Sequence, residues 1–255
     1  MADARDEFYV GYRPDAPPDL ARWTRARVAA ILAAAPLVAL ALVAAQQPFA
    51  RSHFEYGTTR AFEGRIVERP YPALAVDRPG DPGAGPARSR WLLTVFGKRG
   101  AGAAVAGLDG RRVRLEGTLI WREGRTMVEV VPGSIRPQEG LEGDSGDSGE
   151  SLGTRTYRGE IVDSKCFFGV MKPGNLKPHR ACATRCISGG VPPVLLVRDA
   201  EGNAEHLLLV GADGGPVNDD VLDMIAEPVE VTGELLRYDD LLVLRADPSA
   251  YARVE

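Results

Sequence analysis

The feature that constrains the fold most is an internal repeat in the later part of the chain. The segment FEGRIVE at 62–68 returns as YRGEIVD at 157–163, which is 95 positions later. The segment at 92–119 aligns without a gap on 208–235, at an offset of 116, and its apolar positions and one glycine coincide with those of the later segment. A pattern shared by two stretches of about 90 residues indicates duplication of one domain. Chance agreement between β-rich segments is the alternative.

Each copy has the same predicted order of elements, namely three strands, a short helix-like stretch and two closing strands. In the first copy the strands are expected at Arg60–Arg69, Ala73–Asp77, Trp91–Gly97, Arg111–Trp121 and Thr126–Val131. In the second copy they are expected at Arg155–Asp163, Pro193–Asp199, Ala204–Val210, Pro228–Tyr238 and Leu241–Ala246. The helix-like stretches are Ala101–Leu108 and Val217–Ala226. This is the order of a five-stranded OB-type barrel, so the predicted fold class is mainly β with two OB-like barrels.

Composition predicts where the two domains begin and end. We expect the first OB-like domain at 51–137 and the second at 154–255. The segment between them, 138–153, carries five acidic and no basic residues and has no periodicity, so it is predicted to be a flexible acidic linker. Gly64 and Gly159 interrupt the long first strand of each copy, at the place where a barrel strand must bend.

An apolar stretch precedes both domains. No charged residue occurs at 28–50, and about 20 apolar residues in a helix are enough to cross a bilayer. Three arginines lie just before this stretch and only Arg51 lies close after it, so the positive-inside rule places 1–27 in the cytoplasm and the barrels outside. We therefore interpret 28–50 as a retained single-pass transmembrane anchor. A cleaved signal peptide, with a small-residue site at 43–45, and a buried helix are the alternatives.

The second copy contains an insertion that the first copy lacks. The change of offset from 95 to 116 places 21 extra residues between its first strand and its third. They fall within DSKCFFGVMKPGNLKPHRACATRCISGG at 163–190, which holds all three cysteines of the chain and one of its three histidines. Pro178 suits the first turn of a helix and Gly189–Gly190 suits its end. The insertion is therefore predicted to contain a short helix.

Four side chains of this insertion could bind a metal ion. His179, Cys182 and Cys186 stand at i, i+3 and i+7, on one face of the predicted helix, and Cys166 follows the end of the preceding strand. Together they could close a tetrahedral Cys3His site, for which zinc is the first expectation and copper or iron are also suitable. Their spacing matches no common zinc, haem or iron–sulfur motif. A disulfide that leaves one odd thiol and a catalytic thiol are the alternatives.

Basic residues dominate the neighbourhood of the cysteines in the sequence. They are Lys165, Lys172, Lys177, Arg180 and Arg185, against a single acid, Asp163. We expect this positive charge to lower the pKa of the thiols. Neither of the other histidines is an expected ligand, since His53 closely follows the apolar stretch and His206, at the start of a strand, is expected to be half-exposed.

The segment GEIVDSKC…HRACATRCISGG, followed by VPPVLLV, resembles bacterial membrane-anchored, exported OB-like domains of unknown function. In some of these a cysteine follows the first strand and a cysteine pair precedes the second, as in 159–197 here. The resemblance implies no known activity. With the anchor, it leads us to expect a bacterial inner-membrane protein with a cytoplasmic N-terminus and the bulk of the chain in the periplasm. The haem chaperone of cytochrome c maturation has a similar architecture, but its haem-attaching histidine motif has no counterpart here.

The sequence favours a non-enzymatic protein but leaves enzymatic activity open. It contains no nucleophile elbow, phosphate-cradling glycine loop or supported carboxylate pair. The acidic second copy and the lack of aromatic residues among the basic strands argue against nucleic acid. We predict a binding or accessory protein that works with a protein partner in an exported or membrane redox system. A thiol–disulfide or copper-chaperone-like delivery protein using Cys182 and Cys186 is the alternative, and an OB-type oligosaccharide-binding module is the second alternative.

Overall fold

The computed structural model describes residues 15–45, 52–78, 87–139 and 149–254. They belong to two compact units, an N-terminal helix and a β-rich body. The predicted cytoplasmic residues 1–14, the end of the predicted anchor at 46–50 and the centre of the predicted linker at 140–148 lie outside the described residues.

The N-terminal unit consists of the helix α1, Pro18–Ala45. Its 28 residues are long and apolar enough to cross a membrane, a property that a membrane anchor and a signal sequence share. Proline is well suited to the first position of a helix because its fixed φ matches helical geometry. Pro36 lies inside α1 without ending it, and no residue of α1 is buried.

The β-rich body begins with a closed barrel. Its elements are β1 (Ser52–Phe54), β2 (Arg60–Val67), β3 (Ala73–Asp77), β4 (Arg88–Val95), β5 (Arg99–Gly100), α2 (Gly102–Val105), β6 (Arg112–Arg122), β7 (Arg125–Val130) and β8 (Arg136–Pro137). Five strands close the barrel in the circular order β2–β3–β4–β7–β6, with β6 pairing back onto β2. Only the pairing of β4 with β7 is parallel in this circuit. The first copy therefore forms a closed five-stranded barrel.

The second barrel repeats this connectivity. Its strands are β9 (Glu150–Asp163), β10 (Pro193–Arg198), β11 (Ala204–Val210), β12 (Pro228–Tyr238), β13 (Leu241–Arg245) and β14 (Ala252–Arg253). They close in the order β9–β10–β11–β13–β12, with a parallel pairing of β11 and β13. The predicted fold class, mainly β with an apolar N-terminal helix and two five-stranded barrels, is therefore confirmed. Strand β9 begins at Glu150, inside the segment predicted as linker, because its first residues pair with the end of β12.

Equivalent glycines allow the long strands to pass close to their neighbours. A Cβ atom at Gly64 would overlap the carbonyl oxygen of Ala75, and one at Gly159 would overlap that of Leu196. Each glycine lies in the first strand of its barrel, facing the second strand. The glycines at these two positions thus make room for a close backbone approach that a larger side chain would prevent.

The helix predicted at Val217–Ala226 is absent, and that prediction was wrong. These residues form consecutive turns, although Val217, Val221 and Ile225 are buried as the apolar spacing indicated. The chain leaves helical geometry because Ile225 bridges to β9 and Ala226 has a positive φ. In the first copy the helix is shorter than predicted, since α2 covers only Gly102–Val105.

The two barrels share one apolar core cluster. It joins Tyr71, Leu92, Ile120 and Met127 of the first barrel to Val162, Phe167, Phe168, Val194, Leu196, Leu208, Val210, Leu236 and Val243 of the second. Phe167 and Phe168 come from the insertion and are almost fully buried. Aromatic side chains of this size bury a large apolar area, so the insertion itself contributes much of the contact between the barrels.

Polar contacts fix the same junction. The Arg90 guanidinium lies 2.9 Å from the Asp239 carboxylate, and the Arg90 backbone N–H donates to Asp240 over 2.8 Å. Across the junction, the backbone N–H of Val217 donates to the hydroxyl oxygen of Tyr71 over 3.0 Å. The side chain of Arg90 is only 4% exposed, so this ion pair is shielded from solvent and salt.

Backbone segments of the two barrels also touch directly where the insertion ends. The N–H of Gly100 donates to the carbonyl oxygen of Gly189 over 2.9 Å. A Cβ atom at Gly189 would overlap the carbonyl oxygen of Lys98, and one at Gly100 would overlap that of Gly190. The glycine pair predicted only as a helix stop therefore also makes room for the first barrel.

We expect Gly189→Ala to destabilise the protein by about 1–3 kcal/mol, because the added methyl group must push two backbone segments apart. The measurement is the thermal unfolding of the full chain in detergent, followed by near-ultraviolet circular dichroism. Gly102→Ala is the matched control, since a Cβ atom at Gly102 meets no neighbouring atom. Equal melting temperatures for the two variants would contradict the proposed role of this contact.

Candidate metal centre

The insertion folds into a tight turn, a loop and a short helix. The chain leaves β9 at Asp163 and forms one π-helical turn at Cys166–Val170. It then passes through a loop to a 3₁₀ turn at Lys177–His179, which leads into α3 at Arg180–Ser188. Gly189 and Gly190 end the helix, with Gly190 at a positive φ that glycine adopts without strain. The predicted short helix and its glycine stop are both present.

The three thiols lie together. The Cys166 sulfur is 3.9 Å from the sulfur of Cys182 and 3.9 Å from that of Cys186. A disulfide requires about 2.05 Å between sulfur atoms, so all three cysteines are free in this structure. Cys182 and Cys186 are one helical turn apart on α3, and Cys166 faces them from the turn after β9.

His179 joins the thiols and is held by a carboxylate. One ring nitrogen of His179 and the sulfurs of Cys166 and Cys182 lie within 4.8 Å of one another. The Nε2 atom of His179 is 3.0 Å from Oδ2 of Asp163. Both side chains are buried, so this contact is not exchanged for water. The structure thus groups Cys166 with His179 and Cys182, and Cys186 joins them through its contact with Cys166.

Asp163 is a functional residue that the sequence analysis did not include among the ligands. Its second oxygen accepts the backbone N–H of Cys166 over 2.7 Å, and its side chain is fully buried. A carboxylate oxygen of Asp163 and the sulfurs of Cys166 and Cys186 also lie within 4.8 Å of one another. The sequence signal that could have identified it is its position as the last residue of β9, three positions before Cys166.

Lys98 is the second residue that was missed, because it belongs to the first barrel. Its ammonium nitrogen lies 2.6 Å from the Cys182 sulfur. This hydrogen bond raises the pKa of Lys98, since the sulfur stabilises the charged ammonium group. No sequence signal links Lys98 to Cys182, which lies 84 positions later. Only the docking of the two barrels places it there.

Several of the basic side chains that were expected to surround the thiols contact other groups instead. Lys165 donates to the carbonyl oxygens of Val95 and Gly97 and pairs with Glu129, all in the first barrel. At the start of α3 and in the turn before it, Arg180 and Lys177 both pair with Glu227. These side chains hold the insertion in place and leave Lys98 as the basic group that contacts a thiol.

The thiols consequently differ in acidity. The pKa of Cys166 is raised, because it shares a hydrogen bond with Cys186 and is buried beside Asp163. The pKa of Cys186 is lowered, because it accepts that hydrogen bond and its thiolate is stabilised by it. The prediction that positive charge would lower the pKa of all the thiols was therefore wrong for Cys166.

Three of the four side chains of the cluster are buried. Cys166 is 4% exposed, Cys186 is 1% exposed and His179 is 4% exposed, whereas Cys182 is half-buried. Any molecule that reaches the cluster from solvent must therefore approach along Cys182, next to Lys98. The arrangement suits a metal ion that, once bound, is covered by protein.

Comparison with known proteins gives no match for this chain, whether with protein-family models, with curated proteins or with solved structures.

His206 is buried, so the prediction of a half-exposed side chain was wrong. Its ring packs against Phe167 and Phe168, with centroid distances of 5.5 Å and 5.6 Å. Its Nε2 atom has no hydrogen-bond partner among the described residues. The pKa of His206 is lowered from 6.5 to about 3, chiefly by burial, with the positive charges of Arg125 and Arg122 acting in the same direction.

This burial predicts acid sensitivity of the junction. Below pH 6.5 the unfolded chain binds a proton at His206 that the folded protein does not bind until about pH 3, so stability is lost as pH falls through this window. We expect the wild type to lose about 1.4 kcal/mol per pH unit more than His206→Leu between pH 6 and 4. Denaturant unfolding of the full chain at several pH values measures this difference. His53→Leu is the control, because His53 is exposed. Parallel pH profiles for wild type and His206→Leu would refute the assignment.

Proposed function

We propose that the chain is a membrane-anchored binding or accessory protein whose second barrel holds a Cys3His metal site, with zinc as the metal. The observation that carries this proposal is the distance of 3.9 Å from the Cys166 sulfur to each of the other two sulfurs. Tetrahedral zinc with bonds of about 2.3 Å to sulfur separates its thiolates by about 3.8 Å. Two of the three sulfur pairs therefore already have the spacing that the ion requires.

The pairing of His179 with Asp163 supports the same site. Histidines that bind metals commonly donate their second ring N–H to a carboxylate, which fixes the tautomer and the orientation of the ring. When Nε2 of His179 donates to Asp163, Nδ1 carries the lone pair that a metal ion needs. Asp163 also accepts the backbone N–H of Cys166, so one carboxylate orients two of the four ligands.

The donor set favours zinc over the other metals considered. Three thiolates with one imidazole in a closed tetrahedral arrangement are typical of structural zinc sites. Copper(I) prefers soft sulfur ligands alone, and an iron–sulfur cluster uses a different ligand spacing. The bound site would carry one net negative charge from three thiolates and Zn²⁺, which the ammonium group of Lys98 is placed to offset.

The closed character of the site supports a binding or accessory role. Four protein ligands leave zinc no open position for a substrate, and catalytic zinc sites usually keep one. Residues 163–190 lie at the contact between the barrels, where a bound ion would fix the insertion and hence the junction. The surfaces of the two barrels would then be presented to a protein partner as one rigid body.

The location completes the proposal. The apolar helix Pro18–Ala45 would act as a single-pass anchor in a bacterial inner membrane, with the N-terminus in the cytoplasm. Arg22, Arg25 and Arg27 lie at its start, as the positive-inside rule requires of a cytoplasmic end. The barrels would then face the periplasm and serve an exported or membrane redox assembly. We propose no nucleic-acid partner.

The metal content of the protein tests this function. We expect about one zinc ion per full-length chain purified without a histidine tag, and well below one for Cys166→Ser, Cys186→Ser or His179→Gln, because metal affinity falls sharply when a ligand is lost. Inductively coupled plasma mass spectrometry measures the ratio. His53→Gln is the control, since it removes another histidine and should retain the ion. Full zinc content in the Cys166→Ser variant, or none in the wild type, would disprove the site.

The carboxylate behind His179 provides a separate prediction. Asp163→Asn keeps the size of the side chain but removes its charge, so we expect zinc affinity to fall about 10- to 100-fold without loss of the ligands. Competition with a chromophoric chelator measures the dissociation constant. Asp199→Asn, at an exposed turn far along the sequence from the cluster, is the control. An unchanged constant in Asp163→Asn would show that Asp163 does not orient the ligands.

A thiol–disulfide or metal-delivery role is the second candidate. The observation that favours it is the exposure of Cys182, the thiol that Lys98 contacts. In this role, the two cysteines that form the reversible disulfide would include Cys166, because its sulfur lies 3.9 Å from each of the other sulfurs. A wild-type protein without metal but with a disulfide that forms and reduces reversibly would favour this candidate over the metal site.

A further inference from the structure

A groove lies between the two barrels, outside the thiol cluster. Its volume is about 530 Å³, within the range of roughly 300–1,000 Å³ that small-molecule sites occupy. The first barrel lines it from Glu68 to Pro72 and again from Arg99 to Ala106. The second barrel adds Gly189, Gly190 and two residues of the turns that follow β11. The groove therefore exists only when the barrels are docked.

The walls of the groove are held in place by contacts already described. The phenol ring of Tyr71 is anchored by its hydrogen bond from the Val217 backbone. Gly100 and Gly190 form the close backbone contact between the barrels. The amide of Asn218 donates to the carbonyl oxygens of Ile187 and Val191, so its donors are not available to a ligand. A preformed wall lowers the entropic cost of binding.

Two charged side chains of the groove have no assigned role. Arg69 and Arg99 are exposed, and neither side chain forms a hydrogen bond or ion pair with any described residue. Glu68, the acidic residue of the groove, does have partners, because its carboxylate accepts hydrogen bonds from the backbone N–H groups of Leu108 and Asp109. Two guanidinium groups thus remain available for a ligand, beside a mostly apolar wall of proline, alanine, valine and tyrosine.

We propose that this groove binds a small organic anion, with an apolar body against the proline and tyrosine wall and an oxyanion held by Arg69 and Arg99. Guanidinium groups bind planar oxyanions through two parallel hydrogen bonds, which suits a carboxylate or a phosphate. The apolar wall selects a ligand with a hydrophobic portion over inorganic anions. This site is independent of the metal centre, since none of the four proposed metal ligands lines the groove.

The test uses three probes that share one naphthalene ring. The full chain in a non-ionic detergent is titrated by calorimetry with 1-naphthylacetate, 1-naphthyl phosphate and the neutral 1-naphthylacetamide. We expect saturable binding of at least one anion, and binding of the amide at least about tenfold weaker, because a charged hydrogen bond is lost. The two anions show whether the groove prefers a carboxylate or a phosphate. No saturable binding of either anion, or equal binding of the amide, would overturn the proposal.

Substitutions locate the binding in the groove. Arg69→Gln and Arg99→Gln should each weaken anion binding about tenfold, whereas Arg155→Gln, on an exposed part of β9, should leave it unchanged. Anion binding that resists both groove substitutions would overturn the proposal. Zinc content is measured on the same samples. Loss of anion binding with full zinc content, or the reverse, separates failure of this proposal from failure of the metal site.

Discussion

The docking of the insertion between the two barrels is the contact on which the rest of the structure depends. Phe167 and Phe168 pack into the apolar junction, and the carbonyl oxygen of Gly189 accepts a hydrogen bond from the first barrel. The buried ammonium group of Lys165 pairs with Glu129 and donates to two backbone carbonyl oxygens of the first barrel. A buried ammonium group without such partners would be costly, so these contacts fix one relative position of the barrels.

Because of this docking, both copies contribute residues to the surroundings of the thiol cluster. The second barrel supplies Cys166, His179, Cys182 and Cys186, but the charge that faces Cys182 comes from Lys98 of the first. The first copy thus contributes to the site although it carries no cysteine. An ion bound by the four ligands would stabilise the insertion, and the insertion in turn holds the barrels. Metal binding and the rigidity of the junction would then be physically coupled.

Local patterns in the sequence predicted the barrel strands well, and they failed where tertiary contacts compete with local preference. Strands β3 and β12 begin and end at the residues predicted from the alternation of apolar and polar side chains and from the neighbouring turn residues. At Val217–Ala226 the apolar spacing is that of a helix, yet the residues form turns because Ile225 pairs with β9. For His206 the position at a strand start suggested exposure, but the aromatic rings of the insertion cover it. Burial by a distant segment leaves no trace in local periodicity.

The sequence by itself determined the two barrels, the short helix of the insertion and the four residues of the Cys/His cluster, because these follow from spacing within single segments. The change of offset between the copies is enough to locate the insertion. Only the tertiary structure decided that Asp163 holds His179, that Lys98 reaches Cys182 and that Arg69 and Arg99 share a groove. Each of these depends on how two closed barrels pack against each other. Packing of that kind is set by shape and burial across the whole interface, and no short stretch of sequence encodes it.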